Sequence, residues 1–309
     1  MRWVRDGVGA RREAGVALLM AMLVVAIASV TAVSLVREQS FSVRKTANIE
    51  HYNRALSFAL GLEDFARLFL LKDARDSETD DLNEDWAIGI PGLPIDGGFL
   101  IGSISDAQSK ININRLLNDE PTREQLRRLC QNLEIEPVFI TAIVDWIDDN
   151  FEPEIPDGAE DDYYTALEQP YRVANRPMVD ISELRLVKGI TAEIYYQLEP
   201  FLTALPETTS FNLNTVPLEV FESLGLDVDG EAFIEVREDE PFASVEDFSR
   251  RMDVELDQEQ TARLAVATAY FEVSGVVTLG EKSVGLTSLV HRVSREQTRV
   301  LWRNLGSGL

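Results

Sequence analysis

VALLMAMLVVAIASVTAVSLV, residues 16–36, carries no charged side chain. At roughly 1.5 Å of rise per residue, a helix of that length spans about 30 Å, the thickness of a bilayer's hydrocarbon core. Ser29, Thr31 and Ser34 interrupt the apolar run, and each can return its hydroxyl to a carbonyl of its own helix. The residues before it hold Arg2, Arg5, Arg11 and Arg12 against Asp6 and Glu13. That positive balance keeps the short leader in the cytoplasm and sends the chain beyond Val36 across the membrane.

Three fates are open to this segment. A secretory signal peptide would be cut after Ala28, where Ala26-Ile27-Ala28 has the small-x-small pattern. A plain single-pass anchor would not be cut at all. A cut between Gly15 and Val16 would remove only the basic leader, residues 1–15, and leave the apolar run as the mature N-terminus. The chain immediately beyond Val36 bears on the choice: residues 37–71 contain no proline and one glycine, and Tyr52, Ala55, Ala59, Leu62, Ala66 and Phe69 recur at threes and fours. Residues 16–72 therefore read as one membrane and stalk helix on the order of 85 Å long, a continuation for which a discarded signal peptide has no use.

The rest of the chain reads as a globular head. The chain as a whole is 45% hydrophobic and 27% charged, enough to bury real cores. The whole chain's net charge of −24 repels phosphate backbones and anionic lipid, so no nucleic acid is expected as a partner; the same charge favours cations and basic surfaces. Cys130 is the single cysteine, which excludes an intramolecular disulfide, and its apolar surroundings suit a helix core. His51 and His291 stand far from any serine or cysteine in a nucleophile motif, so neither an enzyme nor a zinc site is expected. Residues 184–190, LRLVKGI, faintly resemble a helix-hairpin-helix turn, but in so acidic a chain they read as a packing motif.

In chain order, residues 73–114 read as a connector followed by the first part of a small antiparallel sheet, with FLIGSISD at 99–106 and KININ at 110–114 as its strands. Residues 115–209 form a first helical lobe. Pro121 and Pro137 open its helices, an acidic loop occupies 145–164, and Asp180-Ile181-Ser182-Glu183 caps a further helix that ends at a left-handed Gly189. Residues 210–268 form a second lobe: SFNLNTVP at 210 echoes SKININRL at 109, and Ser244-Val245-Glu246-Asp247 repeats the cap. Residues 269–309 return to strands, with YFEVSGVVTL and KSVGLTSLVHRV flanking the turn Gly280-Glu281 and a third strand at 297–302. The fold expected is α+β: a long N-terminal helix and an antiparallel sheet interrupted by a large helical insertion.

Several of these pieces together resemble one family. RREAG at 11–15 before VALLMAML, SKININRL at 109–116, GAEDDYY at 158–164, PYRVANRPMVDISELRLVKGI at 170–190 and SFNLNTVP at 210–217 are similar to the minor pseudopilin K family of type II secretion systems. That resemblance implies a pilin-like sheet with two SAM-like helical lobes inserted into it. It also implies cleavage after Gly15 by a prepilin peptidase, with methylation of the new amine on Val16. The protein would be a single-pass inner-membrane protein with its head in the periplasm. It would sit at the pseudopilus tip with minor pseudopilins I and J, initiating or capping the filament that exports folded proteins, with the secreted proteins themselves as further contacts. Most pilin-like subunits carry glutamate at the fifth residue after the cut; here that residue is Met20, and the K family is similar in lacking the acid.

Asp145, Asp148, Asp149, Glu152, Glu154, Asp157, Glu160, Asp161 and Asp162 crowd one stretch shaped by Pro156 and Gly158. Such carboxylates repel one another unless a hard cation bridges them, and Ca²⁺ suits oxygen ligands in a flexible loop. The resemblance implies calcium in this region; among these acids Asp149, Glu160 and Asp161 are the leading candidate ligands and Asp148 and Asp162 the next, and a solvated acidic loop is the alternative. The alternative function is a membrane-anchored, calcium-binding adhesion module acting alone.

Overall fold

The computed structural model describes residues 9–206 and 208–306, with side chains from Gly15 onward. The first eight residues of the leader lie outside the described residues. Helix α1 runs unbroken from Gly9 to Asp76, through the Gly15–Val16 junction and four residues past the predicted end of the stalk. Its 68 residues are about 100 Å long. Ser29, Thr31 and Ser34 bond to carbonyls one turn back, as the apolar setting demands.

After α1 come strands β1 (Ile90–Ile95) and β2 (Gly98–Asp106), then the two-residue strand β3 (Ile111–Asn112). The first lobe holds α2 (Glu120–Asn132), α3 (Ile140–Ile147), α4 (Asp161–Tyr164), α5 (Ala192–Leu198) and β4 (Leu202–Thr203). The second holds β5 (Phe211–Asn212), α6 (Leu218–Ser223), α7 (Gly230–Asp239), α8 (Val245–Arg251), α9 (Gln258–Ala262) and β6 (Leu264–Ala265). The chain ends in β7 (Tyr270–Leu279), β8 (Lys282–Ser294) and β9 (Gln297–Gly306). The main sheet is antiparallel in the order β1-β2-β7-β8-β9, so both lobes are inserted between β2 and β7.

Three local expectations differ from the structure. Residues 110–114 read as a strand of the main sheet, yet β3 leaves it and pairs in parallel with β4. The connector contains β1, which the Gly and Pro content of IPGLPI conceals; an edge strand tolerates Pro91 and Pro94 because one side of it needs no ladder. Residues 181–186 form a 3₁₀ helix rather than an α-helix, although Asp180 caps it and Gly189 does take a left-handed φ of 85°.

The second half of α1 buries Ala55, Ala59, Leu62, Ala66, Leu70 and Ala74 against the sheet. Alanines let the helix approach closely, and glycines receive the one large side chain among the central positions. A Cβ on Gly275 would come within 2.1 Å of Leu62 Cδ2, and one on Gly102 within 2.9 Å. Buried Glu63 then anchors the helix to β9, accepting from Arg303 Nε at 2.8 Å and from the Ser288 hydroxyl of β8. Burial pushes the Glu63 carboxyl up, but Arg303 and Ser288 together hold it below its ordinary value.

The two lobes repeat one plan. Asn112 and Asn212 each accept from the amide two residues on. Asn114 exchanges two hydrogen bonds with the backbone of Met178, and Asn214 does the same with Phe242. Two residues beyond each of those, Asp180 and Ser244 cap the next helix. β5 pairs in parallel with β6 as β3 does with β4. The difference lies between α3 and the helix at 181: the second lobe passes directly from α7 to α8, whereas the first inserts the acidic loop.

Stalk, sheet and second lobe meet at Asp80, which is 1% exposed. Arg292 Nη2 donates to both its oxygens at 2.6 and 2.5 Å, Thr268 N donates at 2.7 Å, and Asn212 holds its carbonyl. Arg292 Nη1 also reaches Asp73 at 3.1 Å. Burial, with repulsion from Glu84 and Asp80 and only partial relief from Arg292, raises Asp73 from 3.8 to about 7. Because the folded state then holds a proton that the unfolded chain has lost, stability falls as pH rises between those two values. Asp73→Asn is expected to flatten that part of the profile, as melting temperature against pH will show.

Candidate functional site

The acidic loop folds around Asp145. This residue lies on α3, two residues before its end, and is fully buried. Its Oδ2 accepts from Ala159 N at 2.6 Å and its Oδ1 from Glu154 N at 3.0 Å, so one carboxylate pulls both limbs of the loop together. The close approach requires Gly158, where an added Cβ would lie 2.2 Å from Asp145 Oδ2. Arg123 pairs with Glu154 at 2.8 Å, Lys188 Nζ donates to the carbonyls of Asp157 and Gly158, and Thr141 donates to that of Pro156. Beneath the loop, Tyr164 packs edge-on against Trp146 and accepts from Lys188 N.

This scaffold brings Asp145, Asp148 and Glu160 together, with one carboxylate oxygen of each within 4.8 Å of the others. All three are buried. Asp148 accepts from Asn150 N and Nδ2, but both oxygens of Glu160 are buried without a hydrogen-bond partner. Burial first, then the charges of Asp145, Asp148 and Asp161, push Glu160 up to about 7. Burial likewise raises Asp145 and Asp148. Three hard oxygen donors with two orphaned oxygens among them form an arrangement that a divalent cation such as Ca²⁺ satisfies.

Of the five expected ligands, Asp148 and Glu160 are in the cluster. Asp149 and Asp162 are exposed, and Asp161 accepts from Val173 N at 3.1 Å, which ties down the far end of the loop. Asp145 takes its place with them because it is buried on α3 three residues before Asp148, whereas Asp149 lies beyond the helix end, where the backbone at Asp148 is already extended and carries it into solvent. Gly15 and Val16 are both exposed on α1. Cys130 is buried, and burial pushes its thiol up to about 12, which leaves it unreactive.

A second feature lies beside the stalk. α1, β1 and β2 enclose an apolar groove of about 600 Å³ lined by Phe58, Leu62, Phe65, Phe69, Ile88 and Leu93 among others. Phe65, Ile88 and Leu93 are 56%, 66% and 49% exposed, so this wall of the stalk is open to a partner. Among the described residues α1 is the one helix long and apolar enough to cross a membrane, which is compatible with a single-pass anchor.

Comparison with known proteins gives this arrangement its context. Residues 109–207 match the family described as type II secretion system (T2SS), protein K. The chain is 32% identical over 316 residues to the type II secretion system protein K of Pseudomonas aeruginosa, covering 96% of this chain and 94% of that one. The chain belongs to the type II secretion system protein K family. Protein K of Pectobacterium carotovorum subsp. carotovorum is 31% identical, covering 96% of this chain and 97% of that one. A solved chain from the GspK-GspI-GspJ complex of the enterotoxigenic Escherichia coli type 2 secretion system is similar with a TM-score of 0.76 at 26% identity, covering 85% of this chain and all of that one. The family match begins at Ser109, where the insertion begins, and takes in the whole acidic loop. This chain is a minor pseudopilin of type II secretion, with a pilin-like sheet, a long N-terminal helix and a helical insertion.

Proposed function

We propose that this protein K acts at the tip of the pseudopilus, with its first helix in the inner membrane and its head in the periplasm, where it initiates or caps the filament. The observation that carries this reading is α1: a single helix is exposed and apolar at residues 16–36, then packs its alanine face on the sheet from Ala55 onward. A membrane helix continuous with the head can pass from lipid into a bundle of similar helices without refolding. Removal of the basic leader after Gly15 by a prepilin peptidase frees that helix, and Met20 fits a subunit with no neighbour above it to neutralise. The role is structural rather than enzymatic.

Its partners on this reading are minor pseudopilins of the I and J type, as in the solved complex of a similar chain. The groove beside Phe65 is where a partner's stalk would pack. Phe65→Glu or Leu93→Glu places a charge on an exposed wall of that groove and should weaken association with the I- and J-type heads roughly tenfold or more while sparing the fold. Titration calorimetry on the purified heads checks this, and unchanged affinity for both variants would remove the groove from the interface.

The acidic loop is a structural Ca²⁺ site in this reading, held by Asp145, Asp148 and Glu160, with carbonyl and water oxygens completing the shell. Bound calcium would offset the mutual repulsion of three buried carboxylates and hold the first lobe in its folded form.

A further inference from the structure

The two edges of the main sheet differ in kind. β1 carries Pro91 and Pro94, which cannot donate to a ladder. β9, on the other side, runs from Gln297 to Gly306 without a proline; its ladder with β8 shifts register between Val300 and Trp302 and again near Gln297, and no strand lies beyond it among the described residues. Outside its pairing with β8, the one hydrogen bond made to its backbone among the described residues is from Arg67 Nη2 to the Thr298 carbonyl at 3.4 Å. A row of main-chain donors and acceptors is therefore open to solvent.

The charge on this edge also departs from the rest of the molecule. β9 and the turn before it, residues 295–306, hold Arg295, Arg299 and Arg303 against Glu296 alone, in a chain whose net charge is −24. Arg303 turns inward to Glu63. Arg295 meets Glu78 in solvent, where an ion pair holds little, with the two side chains 58% and 85% exposed. Arg299 is exposed and forms no ion pair among the described residues. Two copies of β9 paired antiparallel about Arg299 would set arginine against arginine, which disfavours a second copy of this chain in that register. An acidic strand is the right occupant.

We propose that β9 accepts an extended, acidic segment of a partner protein by strand addition, with main-chain hydrogen bonds supplying affinity and Arg295 and Arg299 selecting its charge. This contact is separate from the groove, which lies at the β1 side of the stalk, and it stands whether or not the groove binds a pseudopilin.

The test uses the full chain in detergent micelles and a fluorescein-labelled ten-residue peptide of alternating valine and glutamate. Saturable binding is expected, with slowed amide exchange at residues 299–305. The double variant Arg295→Glu with Arg299→Glu, both exposed positions, should bind roughly tenfold more weakly or worse at an unchanged melting temperature. A peptide N-methylated at alternate amides should lose binding to a similar degree, because one edge of it can no longer donate. The proposal is overturned if the native chain shows no saturable binding, if the N-methylated peptide binds as well as its parent, or if the double variant binds like the native chain. Self-association of the double variant, with no peptide binding by the native chain, would mean that the arginines serve only to keep copies apart.

Discussion

Replacing Arg292 with methionine is expected to destabilise the head by about 3–5 kcal/mol, the cost of leaving a buried charge without its partner. Arg292 is the one cation that reaches both Asp80 and Asp73 among the described residues, and its side chain and that of Asp80 are 10% and 1% exposed. The guanidinium also lies 4.8 Å over the Phe271 ring, so methionine keeps much of the packing and removes mainly the charge. Adding Asp80→Asn to Arg292→Met should recover a large part of the loss, since Asn can still accept from Thr268 N. Urea denaturation of the soluble head measures both. A change under about 1 kcal/mol in the single variant would show that water reaches Asp80 freely.

The second large effect concerns the acidic loop. If Ca²⁺ binds only the folded head, calcium at about a hundred times its dissociation constant adds about 2.7 kcal/mol of stability, and EGTA removes it. Glu160→Gln should abolish most of that response, because its two oxygens have no other hydrogen-bond partner. Asp149→Asn should respond like the native chain, because Asp149 is exposed and outside the cluster. Melting temperatures with and without EGTA for the three proteins decide the matter. A native chain indifferent to EGTA would leave the loop as a solvated acidic surface; loss of the response in Asp149→Asn with its retention in Glu160→Gln would move the ligands elsewhere.

Periodicity makes the stalk and the final hairpin legible from the residues alone. From Phe271 to Leu279 the strand alternates buried and part-buried, and the turn at Gly280 sits where Leu279 pairs with Lys282. The short Asn motifs are legible as an internal echo, and the structure gives the reason: Asn114 and Asn214 each satisfy a backbone amide and carbonyl about which a lobe closes. β1 is hidden because its partner, not its own composition, makes it a strand. The inward turn of Asp145 is hidden because it depends on Gly158 and Ala159, more than ten residues away, folding back onto α3. Arg292 gives no sign of its role in sequence, since Asp73 and Asp80 are over two hundred residues distant.

A tip subunit of this kind must keep α1 after processing and carry it whole into the assembly. Intact-mass and N-terminal analysis of the membrane-extracted protein tests that requirement most directly. A mature chain that starts at a methylated Val16 is the predicted result, whereas a chain that keeps Met1, or one found free of the membrane and starting at Ser29, would contradict it.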